Sequence, residues 1–584
     1  MEILVHLQTV NHNGENAHGS GGRFGLALAA TAVFALLVLV LDRIGAPASL
    51  ILGLGCIAGF ALLAVTGIAM RTMRISGYFA AGRSLPARHA ALALGGMALA
   101  LAQMQAPAAA GYGGLAASGT AIAGGLLLVA LVLGPLLRKS GAFSLAGLLI
   151  GRFPGAVFRL AVLGLLALVA GFTGLAGLQT AASLLHLESG FAPGASLAVA
   201  GLVVALAILP SGLAGTVWLM VAAAGCVAGA LVLSLALLYF QHMTLPLPLL
   251  GDQALLANGL AHLEDFTGAG AAELHGMAPA FGFAVLLTLS GLPVAGSSPG
   301  QALRAGLGGL IWSAALALAA LAMVALSVQG LREMVGQQPD RLPDAAYAAS
   351  ARGELRLCGK SVSSPPTAQA ACAAVAGFPG KLRAQDMVPA LAGLVSGLVL
   401  MSNPPVAPGG LILAGLMVLQ LAMAASSLQF LAGALAHEGF FRLRDRAALT
   451  SRRLALARLA LLLAVSSAVT FCAHFAPDPR WLFQAGLGLA AALVAPLLAL
   501  ALWPLATARD AAFGLAVGVI ALMIRGPGMM AGYEDFSGSM LAIGALSFGT
   551  GIAASFFHAD TARPRWFFRA LLARGEILEP DKGA

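Results

Sequence analysis

The sequence predicts an all-α polytopic membrane protein, and three observations predict it. Hydrophobic residues make up 59% of the 584 residues, charged residues only 9%, and the mean hydropathy is +0.92, whereas soluble domains carry about 25% charged residues. The apolar runs are long and continuous, close to the roughly 20 residues that cross a hydrocarbon core. They are rich in Ala, Leu and Gly and lack the alternation of barrel strands. Of the two structures that pair every backbone group inside lipid, the helix fits.

Candidate spans fall at roughly 24–42, 49–70, 90–117, 120–137, 158–185, 195–211, 214–240, 278–297, 303–329, 408–437, 454–474, 482–504, 510–524 and 538–557, about fourteen in all. The run Phe24 to Leu41 has no small-residue cleavage site after it, so it reads as a retained helix rather than a signal peptide. The apolar stretch 387–402 is shorter and reads as re-entrant or interfacial. Counting it as a crossing would put Arg442, Arg444, Arg446, Arg452 and Arg453 on the wrong side.

The net charge of +9 lies in short segments between spans, which is how topology is encoded and not a nucleic-acid surface. Arg71, Arg74, Arg83 and Arg88, then Arg138, Lys139 and Arg152, mark cytoplasmic connections. The connections 113–119, 186–194 and 241–277 carry no Lys or Arg and should face outward. Both termini then fall inside, and 241–277 and 330–402 are external loops. The first of these reads as a partly helical hairpin; 330–386 is Ala-, Ser- and Pro-rich, which favours incomplete order. Cys56, Cys226 and Cys472 lie in apolar helices and read as small core residues. Cys358 and Cys372 share the second external loop, where an oxidising compartment would permit a disulfide and a reducing one would not.

No Asp, Glu, Lys or Arg sits in the middle of a span, which disfavours a carboxylate-driven proton pump. Ligands must come from hydroxyls, amides, carbonyls and the ends of broken helices. Two spans look broken. In the third, Gln103-Met104-Gln105-Ala106-Pro107 precedes Gly111-Tyr112-Gly113-Gly114; near the eighth, Ser290-Gly291-Leu292-Pro293 leads into Gly296-Ser297-Ser298-Pro299-Gly300. Freed carbonyls coordinate cations and half-helix N-termini hold carboxylates; ordinary kinks are the alternative. The breaks lie five spans apart, as an inverted five-helix repeat requires. The tenth span adds Gln420, Ser426, Ser427 and Gln429, and the fifth Thr173, Gln179 and Thr180; these serve either as ligands or as interhelical glue. No metal-ligand spacing, nucleotide loop or nucleophile constellation of an enzyme is present.

The peptide Tyr78-Phe79-Ala80-Ala81-Gly82-Arg83-Ser84-Leu85-Pro86 resembles the "YF.AGRSLP" signature of the sodium:solute symporter family. Gly134-Pro135-Leu136-Leu137-Arg138-Lys139-Ser140-Gly141-Ala142-Phe143-Ser144 is similar to that family's "PxLRKxGxFT" loop, Gly291-Leu292-Pro293 to its "GLPH", and Ala436-His437-Glu438 to the "SHD" of the cation/acetate symporter branch. The resemblance covers roughly residues 75–580 and implies a leucine-transporter-type fold. Residues 75–505 would form ten core helices as two inverted five-helix repeats, with two extra helices in 1–74 and two more in 506–584 before a basic tail. It implies sodium-coupled uptake of a short monocarboxylate such as acetate, the ion lying between the first and eighth core helices and the solute between the first, third and sixth. On that basis Gln103, Gln105, Ser290, Gly291, Thr173 and Gln179 would line the solute site. Ala102, Gln105, Ser426 and Ser427 would hold the cation, with no other cofactor. The chain departs from the family at Met97, Ala98, Leu99 and Ala100, where the acetate branch is polar. Counting back from Glu438 puts the family's two sodium-binding hydroxyls on Ala422 and Met423, one turn before Ser426 and Ser427.

The expected protein is a secondary transporter of the cell (inner) membrane whose partners are lipid and a small solute. The alternative is a transport-inactive relative serving as a sensor or structural partner in the membrane.

Overall fold

The computed structural model describes residues 29–30, 32–105, 111–242, 261–262, 265, 277–351, 353–389, 391–396, 406–441, 449–530 and 535–557. The chain is all-α and polytopic. Among the described residues ten helices are long and apolar enough to cross a membrane, eleven if the bent pair Ile75–Arg83 and Ala87–Met104 is one span.

A helix over 32–43 is the described part of the first expected span. It is followed by α1 (Ala48–Ala69), the short α2 (Ile75–Ala80) and α3 (Ala87–Gln105). Helix α4 (Gly111–Leu128) continues through a π turn at Val129–Leu133 into Gly134–Lys139, and α5 (Leu145–Arg152) links it to α6 (Ala156–Ser189). Then come α7 (Pro193–Ile208), α8 (Leu213–His242), α9 (Met277–Leu289) and α10 (Pro299–Met334). Helix α11 (Val406–Gly433) runs on as a π helix to Phe441. The last helices are α12 (Thr450–Phe475), α13 (Pro479–Leu489, continued through Ala490–Val494 into Ala495–Leu502), α14 (Ala508–Met530) and α15 (Phe536–Ser555). The π turns in α4 and α13 sit just before Pro135 and Pro496. A proline lacks an N–H and clashes with the carbonyl four residues back, and one widened turn relieves both faults.

Helix α11 is the most enclosed span, packed against α6 and α8, whereas α14 faces mainly outward. Small residues let backbones approach without a hydrophobic drive between helices. At the α3–α10 contact, a Cβ on Gly309 would lie 2.8 Å from that of Leu94.

The expected break in the third span centres on Ala106-Pro107, which lie outside the described residues. Gln103, Met104 and Gln105 belong to an unbroken α3, and Gly111 to Gly114 open the next helix; residues 106–110 lie outside the described residues. The bend that is described measures 96° and lies earlier, between α2 and α3. There Ala81, Gly82 and Arg83 hold consecutive positive φ angles of 51°, 63° and 53°.

The second external loop was expected to be partly disordered, and it folds instead. A helix at Asp344–Ala351 packs with a two-stranded antiparallel sheet, β1 (Leu355–Leu357) paired with β2 (Met387–Pro389). The inward residues Leu355, Leu357, Leu382 and Met387 are buried, and the Tyr347 hydroxyl donates to the Pro339 carbonyl at 2.7 Å. Cys358 and Cys372 are disulfide-bonded. The loop carries Arg332, Arg341, Arg352, Arg356, Lys360, Lys381 and Arg383. Residues 391–396 form a short helix on α10, where Ser327 donates to the Leu394 carbonyl at 2.6 Å. Most of 241–277, both chain ends and 397–405 lie outside the described residues.

The disulfide spans 14 residues, so Cys358→Ser should weaken this unit by about 3 kcal/mol, read as faster proteolysis within 340–390. Alkylation of both cysteines in native protein without reductant would contradict the bond.

Candidate functional site

The break after α9 begins with its sequence. Ser290 donates its hydroxyl to Leu287 O and accepts the Leu292 N–H, Gly291 turns at φ 74°, and Leu292–Val294 form one 3₁₀ turn around Pro293. The chain then runs to Ser298, whose hydroxyl caps α10 by accepting from Gln301 N. Neighbours pin this irregular stretch. Arg138, 4% exposed at the end of α4, donates from Nε to Gly296 O at 2.8 Å and from Nη2 to Ser297 O at 2.7 Å. Leu85 N donates to Ala295 O at 3.0 Å.

Beside the break lies a cavity of about 40 Å³. Thr288 and Gly291 line it from the break, Gln429 and Glu438 from α11, and Phe79 and Phe143 from the segments flanking α3 and α4. The His437 ring stacks between Phe79 and Phe143, at centroid distances of 4.7 and 5.8 Å, and the Arg83 guanidinium lies 5.3 Å over Phe143. Glu438 reaches the N-terminal turn of α5, where a Cβ on Gly147 would come 3.0 Å from Oε1. A carboxylate suits that positive helix end.

Of the sequence-predicted site residues, Ser290 and Gly291 lie at the break. Gln103, half-buried on α3, accepts at Oε1 from Gln420 Nε2 at 2.7 Å, and the same amide donates to Ala100 O at 2.9 Å. Ala102 lies half-buried on the same helix. Gln105 ends α3, and its side chain lies outside the described residues. Thr173 gives its hydroxyl to Val169 O and packs against Gly486 of α13, so it faces away from the cavity. Gln179 sits half-buried on α6 with a buried Oε1. Ser426 gives its hydroxyl to Met423 O, and Ser427 packs against Gly174 of α6. Seven residues, about 10 Å, separate Ser427 from Gln420 along the helix, and α6 lies alongside at both levels, Gly177 by Gln420 and Gly174 by Ser427. The hydrogen bond of Ser426 and the contact of Ser427 are thus to α11 itself and to α6. Among the described residues Gln420 supplies hydrogen bonds between α3 and α11.

Sequence reasoning missed three features of the site. Gln429 and His437-Glu438 were visible as a polar amide and a motif, without the break they face. Arg138 was read as a topology marker and as part of a loop motif, without a structural partner. Glu188, in the connection 186–194 and not singled out, is 5% exposed and accepts from Cys56 Sγ at 2.6 Å, near Glu354 of the disulfide-bonded unit. Its place at a span end was the available signal.

No family model and no curated protein matches the chain. Among solved structures, it is similar to a Na⁺-coupled sialic acid symporter in a substrate-bound outward-open state, with a TM-score of 0.62 and 17% identity over 86% of this chain and 97% of that one. A manganese transporter of Eremococcus coleocola covers 85% of this chain and 92% of its own at 16% identity, but its TM-score of 0.35 carries no argument. At 17% identity the first likeness is one of architecture, and it places this chain in the same all-α polytopic membrane fold as that symporter.

Proposed function

We propose that the chain is a secondary transporter that moves a small organic solute across the cell (inner) membrane by alternating access. The observation that carries this reading is the interruption after α9, enclosed by other helices and bordered by a cavity. Irregular backbone at such a position is tolerated where it lines a solute pathway. Phe79, His437 and Phe143 line that cavity beside Arg83, one of the basic residues. The disulfide-bonded unit fits the oxidising side, which supports cytoplasmic termini. The fold shared with a Na⁺-coupled symporter supports the same reading.

The finer expectation, sodium-coupled uptake of a short monocarboxylate, rests on the family resemblance. Labelled acetate in proteoliposomes tests it: the resemblance expects uptake above protein-free vesicles that collapses when choline replaces sodium. Equal uptake in both salts would remove sodium coupling, and no uptake of any carboxylate, amino acid or sugar would remove the carrier. One observation favours the second reading, a transport-inactive sensor or structural partner. Gln420 already occupies the Ala100 carbonyl and Gln103, while Ala422 and Met423 fill the positions of the family's hydroxyls. Solute-dependent thermal stabilisation without flux would support that reading.

A further inference from the structure

We infer that the cavity beside the α9 break selects a small organic ammonium, recognised through its N–H hydrogens and positive charge. The role in transport rests on the carrier reading above; the chemistry rests on the lining. In a water-poor interior each polar group needs a partner, so the unmatched groups of a cavity describe the head group that fits it. The hydroxyl donors of the break are spent on their own helix, Thr288 on Ala284 O and Ser290 on Leu287 O, each at 2.5 Å. What remains is an acceptor. Gln429 lines the cavity and is 3% exposed. Its Oε1 is buried with no hydrogen-bond partner among the described residues.

The charge on the lining has the same sense. Glu438 contributes a carboxylate and is 2% exposed, while among the described residues no Lys or Arg side chain lines the cavity. Phe79, Phe143 and Phe430 add aromatic rings, whose faces attract cations. An ionised carboxylate would bring acceptor oxygens against the Gln429 oxygen and the Glu438 carboxylate, and among the described lining residues the one side chain able to offset it is the His437 imidazole, held between Phe79 and Phe143. The volume of about 40 Å³ exceeds the roughly 10–15 Å³ that one water requires. It suits a head group with a short chain.

Three molecules of nearly one shape test this on the purified full chain in nanodiscs: n-propylammonium, propionate and 1-propanol, each against sodium chloride of matched ionic strength. Saturable thermal stabilisation by propylammonium is expected, with none from propionate or propanol. Gln429→Leu should weaken propylammonium binding about tenfold, the scale of one buried hydrogen bond to a charged group. Gln429→Glu should tighten it, a gain that misfolding cannot mimic. Stabilisation by propionate or propanol equal to that by propylammonium would overturn the inference, as would wild-type binding in both variants. The shift reads occupancy rather than flux. An ammonium shift without uptake therefore leaves the cavity chemistry standing and removes the carrier, and uptake of acetate without an ammonium shift does the reverse.

Discussion

Arg152→Ala should destabilise the protein by about 1–3 kcal/mol, the scale of leaving buried carbonyls without their charged donor. Arg152 ends α5 and is 6% exposed. It donates from Nε to Ala501 O at 3.1 Å and from Nη2 to Trp503 O and Ala506 O, each at 3.0 Å. These carbonyls close the C-terminal end of α13, where helical carbonyls lack partners and the dipole favours a cation. Burial pulls the Arg152 pKa down to about 10, so the guanidinium is still charged at neutral pH. Lysine keeps the charge but not the planar fork that reaches several carbonyls at once, so Arg152→Lys should recover part of the loss. Equilibrium unfolding in mixed micelles measures both. An alanine variant within about 0.5 kcal/mol of wild type, the range of ordinary surface changes, would show that the three bonds contribute nothing net.

Gly291→Ala is expected to be the most damaging single methyl in the candidate site. At φ 74° a side chain is in the left-handed region, which costs about 1–2 kcal/mol for an L-residue. Its Cβ would also come 2.5 Å from Leu213 Cδ1 and 2.9 Å from Cδ2. Leu213 must then move, and it lines the same cavity. Loss of stability and loss of solute binding should therefore appear together. Leu213→Ala in the same chain makes room for the methyl without changing φ. The double variant should regain the steric part, giving a coupling of about 0.5–3 kcal/mol, and keep the backbone strain. Strict additivity would mean that Leu213 is not what the methyl meets, and wild-type binding by Gly291→Ala would remove the break from the site.

Much of the site was legible because Gly and Pro speak through the backbone. Ser290-Gly291-Leu292-Pro293 marked its break without reference to any neighbour, since an N–H is missing at Pro293 and a positive φ is cheapest at glycine. Side chains on uniformly apolar helices do not speak that way. Gln420, Ser426, Ser427 and Gln429 were all visible as polar groups in α11, yet their directions were not, because every face of that helix is apolar and no stripe sets its rotation. The difference between a serine turned to its own backbone and a glutamine bridging two helices came from how the helices pack. The external unit was misjudged for a related reason. Its composition resembles a flexible linker, whereas one disulfide, one tyrosine bonded across the turn and four inward apolar residues are enough to order it.

By itself the sequence determined the solvent, the helical state and the approximate limits of the spans, because hydrocarbon demands that each segment pair its own backbone over a set length. Tertiary structure alone decided which polar groups meet. Pairing Gln420 with Ala100 and Gln103, gathering Gln429 and Glu438 at the α9 break and burying Glu188 against Cys56 all join residues distant in the chain. Lipid presses equally on every apolar face, so the rotation and depth of each helix are set by packing with its neighbours.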